Sequence, residues 1–305
     1  MEWRKAIRVL AATALLGACG QVFAQVLYAT SVRTFAAGGQ DKVVGSLYTV
    51  NLADATAKLV APIRLNGETA VGITGLAVHP ASGVFYGITS SASPVNPRSL
   101  VTLDVNSGDA QLIGPMGAAG SDIAFDAAGT LYVWLPGTSQ LGVVDLSTAA
   151  VKPLGAPGPA VNGGGIAIDD KGIAYVTPGG ASGTLDQIDT RTGLLKRGPT
   201  LKAAPFPGGI TAMSFSPSGL LLALNSSVGS PANVRLVAIN TASGAVSSIG
   251  TLPDDSDSLG FGSSGSHDVR AALATMSGRT LALLSLILGL VIAVAAMLLV
   301  KSLRA

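Results

Sequence analysis

One short unit recurs along this chain, and its spacing constrains the fold more than any other feature. It runs from Leu76-Ala77-Val78-His79-Pro80-Ala81-Ser82-Gly83 into Val84-Phe85-Tyr86. It returns as Ile123 to Tyr132, Ile166 to Tyr175 and Met213 to Leu222. The apolar anchors Leu76, Ile123, Ile166 and Met213 are 47, 43 and 47 residues apart. A period in the forties belongs to a repeat array, whose units bury their apolar faces only against one another.

Two further landmarks fall inside each period. An apolar run ends in Asp or Asn at Asn51, Asp104, Asp145, Asp189 and Asn240, and a small residue follows four positions on: Ala55, Gly108, Ala149, Gly193, Gly244. This is the chemistry of a tight turn, with a side-chain oxygen accepting backbone N–H groups and a small residue supplying positive φ. A last apolar run then stops at glycine, as in Ile113-Gly114 and Leu154-Gly155. For the unit starting at Ile123 the expected strands are A (123–125), B (130–134), C (141–144) and D (151–154). Four short strands per forty-odd residues, with turn signals and no helical period, predict a β-propeller blade.

The ends complete the count. The chain body opens with a strand B at Val26-Leu27-Tyr28 that has no strand A before it. It finishes with a strand A at Leu259-Gly260-Phe261 that has no strand B after it. Paired together they complete a first blade and remove the free edges of an open sheet. The fold class predicted is all-β: a five-bladed propeller closed by its N- and C-terminal strands, followed by one C-terminal transmembrane helix.

The tyrosine strands, best seen in Ala174-Tyr175-Val176-Thr177, and turns such as Asn106-Ser107-Gly108 and Arg191-Thr192-Gly193 resemble the YVTN-type and related bacterial extracytoplasmic β-propeller repeats. The resemblance covers about residues 26–265. It departs where Leu222 replaces tyrosine and Ala55 replaces the turn glycine. It implies a binding or scaffolding propeller; some relatives are lactonases, yet no lactonase motif carries over residue by residue. Tyr28, Tyr86, Tyr132 and Tyr175 share one register, which fits aromatic packing between blades better than a ligand-stacking row.

The terminal segments account for the basic pI. Arg4, Lys5, Arg8, Arg279, Lys301 and Arg304 lie there against Glu2 alone, so the middle of the chain is net acidic despite a formal charge of +2. It offers no basic, aromatic-interleaved surface, and no nucleic-acid partner is expected. Residues 1–24 read as a signal peptide: a positive start, an apolar stretch from Val9 to Cys19, and Val22-Phe23-Ala24 before the cut. A second reading makes Cys19 a lipidated N-terminus, because Leu16-Gly17-Ala18-Cys19 resembles a lipobox. Cys19 is the only cysteine, so the 25–265 propeller has no disulfide.

Residues 266–280 form a polar linker. Residues 281–300 are 20 uncharged positions, long enough to span about 30 Å of hydrocarbon. The 301–305 tail carries Lys301 and Arg304 and is expected in the cytoplasm. The location predicted is a single-pass inner-membrane protein with its globular domain in the periplasm or extracellular. Removal of the helix by a sorting enzyme is the alternative. Ser285, Gly289 and Ala293 recur every four residues and could pack a second copy of the helix, giving a homodimer.

Alternating strand directions put the B–C and D–A connections on one face. The long ones, 31–45, 62–72, 89–98, 156–165 and 199–209, make it the expected face for a protein or carbohydrate partner. Arg33, Arg64 and Arg98 lie in those loops, and Trp134 offers either a sugar-stacking surface or blade packing. Thr74, Ser121 with Asp122, Thr211 and Asp257 stand just before successive strands A, at the channel. Asp254, Asp255 and Asp257 are a candidate hard-cation site or a solvated turn. Catalytic residues are scarce. His79 occupies the turn position of Asp126, Asp169 and Ser216, His267 is in the linker, and there is no Gly-x-Ser-x-Gly elbow. No cofactor is expected. The function expected is a membrane-anchored periplasmic binding or protein-interaction scaffold. The alternative is a hydrolase or lactonase-like enzyme using acidic residues at the channel mouth.

Overall fold

The computed structural model describes residues 25–32, 34–35, 41–42, 45–67, 69–179, 183–229 and 231–263. Five blades of antiparallel strands form a ring around a central channel. From the channel outward, blade 3 runs Asp122–Phe125, Leu131–Leu135, Gln140–Val144 and Val151–Leu154. The strands expected from the repeat agree with these to within a residue. Blade 5 begins at Ile210–Phe215 and ends at Val246–Leu252. Blade 4 has the shortest outer strand, Leu195–Lys196.

Blade 1 is made from both ends of the described chain. Ser256–Ser263 is its inner strand and pairs with Gln25–Ser31, with Leu27 opposite Phe261 and Ala29 opposite Leu259. Two orphan half-units in the sequence therefore form one blade. The orphan strand edges, each with a row of unsatisfied N–H and C=O groups, satisfy each other.

The core lies between blades. Each of five buried apolar clusters spans two neighbouring blades, including the cluster that joins blade 5 to blade 1 through Leu222, Leu224, Leu27 and Leu259. Strand B of blade 3 shows how a period of two serves both sides. Leu131, Val133 and Leu135 pack toward blade 2, whereas Tyr132 and Trp134 pack toward blade 4. With both faces covered, the strand reads as an unbroken apolar run.

The repeated tyrosines belong to this packing. Tyr28 meets Phe85 edge-on at 5.1 Å between ring centres, Tyr86 meets Phe125 at 5.3 Å, and Tyr175 meets Phe215 at 5.6 Å, in each case across a blade boundary. Leu222 takes the tyrosine's place between blades 5 and 1.

The Asp/Asn turns behave as their spacing predicts. Asp189 Oδ1 accepts from the N–H groups of Arg191 and Thr192 at 2.9 Å, and the Gly193 N–H closes the turn onto the Asp189 carbonyl at 2.8 Å. These N–H groups, Thr192's first, hold the Asp189 carboxyl below the usual carboxylate range. Asn51, Asp104, Asp145 and Asn240 make the same turn.

The small residue at its end has a second reason to be small, which is contact with the preceding blade. A Cβ on Gly193 would stand 2.5 Å from the Leu154 carbonyl oxygen, and one on Gly244 2.2 Å from that of Thr200. Ala55 and Ala149 hold positive φ there, at 60° and 64°. They fit because the facing strand supplies a glycine, Gly250 against Ala55 and Gly114 against Ala149.

One connection departs from expectation. Residues 62–72 were expected wholly on the long-loop face. The short strand Arg64–Leu65 instead runs parallel to the outer strand of blade 2, opposite Asp109 and Ala110. The cause is the free edge of that outer strand, where Arg64 N–H donates to the Gly108 carbonyl and Asn66 N–H to that of Ala110. Among the described residues no helix is long and apolar enough to cross a membrane. The expected signal peptide (1–24), linker (266–280), membrane helix (281–300) and tail, with Cys19, Ser285, Gly289 and Ala293, lie outside the described residues.

Candidate functional site

Two positions before each anchor, the repeat places one residue from every blade at the same end of the channel. They are Asp257 from blade 1, Thr74 from blade 2, Ser121 from blade 3, Gly164 from blade 4 and Thr211 from blade 5. With the exception of Gly164, they line a cavity of about 450 Å³ that opens among the B–C and D–A connections. Thr89, Ser90, Ser91 and Arg98 form its wall on blade 2, and Asp255 and Ser256 continue it on blade 1.

The polar ring is cross-linked from blade to blade. Thr74 Oγ1 donates to Asp257 Oδ2 at 2.6 Å, joining blade 2 to the C-terminal strand. Ser121 Oγ donates to the Gly164 carbonyl at 2.7 Å, joining blades 3 and 4. Below Asp257, Ser258 donates to Thr30, whose hydroxyl donates to the Ile73 carbonyl at 3.1 Å. Among the described residues the buried Thr211 hydroxyl has no partner beyond its approach to the Asp257 carboxyl.

Asp122 lies one residue deeper, fully buried. Its Oδ2 accepts from the N–H groups of Ile166 in blade 4 and Met213 in blade 5, both at 3.0 Å, and its Oδ1 from its neighbour Ile123 at 2.9 Å. The equivalent positions carry Gly75, Gly165, Ala212 and Ser258, so one long side chain crosses a channel otherwise lined there by small residues. A Cβ on Gly75 would stand only 3.0 Å from the Asp122 Cα. Asp122 is therefore a strap that closes the cavity floor. Beyond it the channel turns apolar, enclosing about 180 Å³ lined by Val78, Phe125, Ile168, Phe215 and Phe261.

Burial pushes the Asp122 carboxyl well above the usual range, against the pull of its three N–H donors, with the Asp257 charge adding to the rise. Burial likewise pushes Asp257 up to about 7, opposed by the Thr74 and Thr211 hydroxyls and reinforced by Asp255. Burial thus raises two neighbouring carboxyls, Asp257 at the mouth and Asp122 on its floor, above the usual range.

The other candidate residues separate. Arg98, exposed, lines the mouth. Arg64 is exposed at the outer edge of blade 2, away from it. Arg33 lies outside the described residues. Trp134 is fully buried between blades 3 and 4, where its indole meets no surface on which a sugar could stack.

Asp254, Asp255 and Asp257 do not converge as a set of three, although Asp255 and Asp257 both line the cavity. Asp254 is exposed, Asp257 faces the cavity, and Asp255 Oδ1 accepts from the Ala232 N–H at 2.9 Å, tying down the 227–233 loop. Among the described residues no group of three acidic, His or Cys side chains is placed to hold a metal ion. His79 is a turn residue, its Nδ1 accepting from the Ser82 N–H at 3.2 Å. Ser90 and Ser91 fall within the expected 89–98 loop without being singled out, and the bridging role of Asp122 was missed, because nothing in a repeat pattern says how far a side chain reaches across the ring.

No protein-family model and no curated protein matches the chain. Among solved structures it is similar to a chain of a nidogen/laminin complex, at 14% identity and a TM-score of 0.49, over 78% of this chain and 98% of that one. It is also similar to a Bacteroides caccae protein of unknown function, at 14% identity and a TM-score of 0.47, over 79% and 99%. A Bacteroides thetaiotaomicron protein of unknown function follows, at 12% identity and 0.43, over 59% and 50%. The chain is a β-propeller built of sequence repeats.

Proposed function

We propose that this protein is an extracytoplasmic binding propeller of the YVTN-type kind, held to the inner membrane by residues 281–300, which takes a ligand or a partner's side chain at the channel mouth. The observation that carries this reading is the mouth itself. Polar groups from separate blades converge on a cavity of about 450 Å³ ringed by connecting loops. That volume suits a small polar molecule or one side chain of a larger partner. The tyrosine-strand repeats support the family, and the apolar run before Lys301 and Arg304 supports the anchor.

A second reading has one observation in its favour. Asp257, held near neutrality in a cavity, has the proton affinity of a general acid or base, so a hydrolase remains the competing function.

The test uses the full-length protein in its native membrane. Ligands or partners captured by the parent protein should be lost on Arg98→Ala and kept on Lys171→Ala or Arg191→Ala, which alter the tight-turn face. Melting temperatures should stay unchanged, since exposed loop substitutions cost less than about 0.5 kcal/mol. Loss of capture through Lys171 or Arg191 instead would place binding on the opposite face.

A further inference from the structure

Resting on the mouth as the binding site, we infer that its occupant presents a primary ammonium group, received by Asp257 together with the hydroxyls of Thr74 and Thr211. The first ground is charge. Among the described residues no lysine or arginine forms an ion pair with Asp257. Its titratable neighbours are acids, with Asp255 beside it and Asp122 beneath. Arg98, on the cavity wall, is a positive group facing this space, and it forms no ion pair with the Asp257 carboxyl. A half-buried carboxyl without a counter-ion carries a cost, and an entering cation relieves it.

The second ground is the number and kind of acceptors. An ammonium group donates three hydrogen bonds. The mouth offers the Asp257 carboxylate, the Thr211 hydroxyl, which has no partner beyond that carboxyl, and the free lone pairs of Thr74 Oγ1. A hard cation such as calcium needs six to eight oxygens, several of them charged. Asp122 spends both of its oxygens on backbone N–H groups, and Asp255 commits Oδ1 to Ala232. Among the described residues no three acidic, His or Cys side chains are placed together to hold a metal ion, so the Asp257 carboxylate with its hydroxyls is a poor cage for calcium and a good seat for –NH₃⁺. Arg98 on the wall repels a second cation, so the rest of the occupant is neutral or acidic.

The probe is n-butylammonium chloride, compared with n-butanol, tetramethylammonium and calcium chloride on full-length protein by calorimetry and thermal shift. Butylammonium should bind at pH 7 while butanol, which lacks the charge, and tetramethylammonium, which lacks N–H donors, bind at least tenfold more weakly. Asp257→Asn should weaken butylammonium at least tenfold and Thr211→Val several-fold, with Asp54→Asn, in a distant turn, unchanged. Binding should release about half a proton at pH 7 and almost none at pH 9, because the ammonium displaces the proton from the carboxyl it contacts. Tighter binding of calcium through Asp257, equal binding of butanol, or no proton release at pH 7 would each overturn the inference. If butylammonium fails while Arg98→Ala still abolishes capture, the ammonium chemistry is wrong and the mouth as binding face stands. If both fail, the mouth is not the site.

Discussion

Asp122→Ala is expected to lower the melting temperature of the protein by about 5–15 °C at pH 7. Two effects oppose each other. Removing the carboxyl relieves the burial that pushes its pKa up. It also leaves the N–H groups of Ile166 and Met213, each on a different inner strand, without an acceptor. A buried donor stripped of its partner costs about 1–3 kcal/mol, so the second effect wins with a net loss of about 2–4 kcal/mol. Each kcal/mol moves the midpoint of a domain this size by about 2–4 °C. Asp122→Asn keeps one oxygen for the two cross-channel donors and should lose less than half as much. Differential scanning calorimetry of the three proteins checks this, and an unchanged midpoint for Asp122→Ala would mean that the strap holds nothing together.

The opposite sign is expected one layer up. Asp257 titrates near 7 in the folded protein, against about 3.9 unfolded. Below about pH 4 both states hold the proton and Asp257 costs nothing. As pH rises from there toward 7 the unfolded chain releases its proton first, and stability falls. Above 7 the full penalty is present, on the order of 2–4 kcal/mol once water at the mouth is allowed for. Asparagine cannot ionise and still accepts from Thr74. Asp257→Asn should therefore raise the midpoint by about 5–10 °C at pH 8 and hardly alter it at about pH 3.5. Equal gains at both pH values would show that the carboxyl carries no burial penalty. A carboxyl held at such a cost to the fold fits the mouth proposed above as the binding site.

The ring and its closure were legible because they are matters of period. Anchors spaced in the forties, Asp/Asn turns in step with them and a half-unit at each end leave little freedom in how the strands pair. The same register placed Thr74, Ser121, Thr211 and Asp257 at one mouth, since equivalent repeat positions must lie at equivalent depth. What the sequence could not show was side-chain reach and competition for free edges. Asp122 crosses the channel instead of lining it. Trp134 turns toward blade 4 because its place in Leu131–Leu135 alternates with residues facing blade 2. Arg64 is drawn away from the mouth because the outer strand of blade 2 offered unpaired backbone. The acidic run Asp254, Asp255 and Asp257, open in the chain to a cation site or a solvated turn, took three different roles in the fold.

Closure by the C-terminal strand is what delivers the Asp257 carboxyl to Thr74, so the mouth exists only if the ring is shut. Hydrogen exchange of the full-length protein, followed by mass spectrometry on peptides spanning 25–31 and 256–263, reads this directly. Both segments should be protected as strongly as the buried strand Leu221–Ser226, because each amide run is paired within blade 1. Exchange of either segment as fast as the exposed 156–160 connection would mean an open ring and would dissolve the mouth with it.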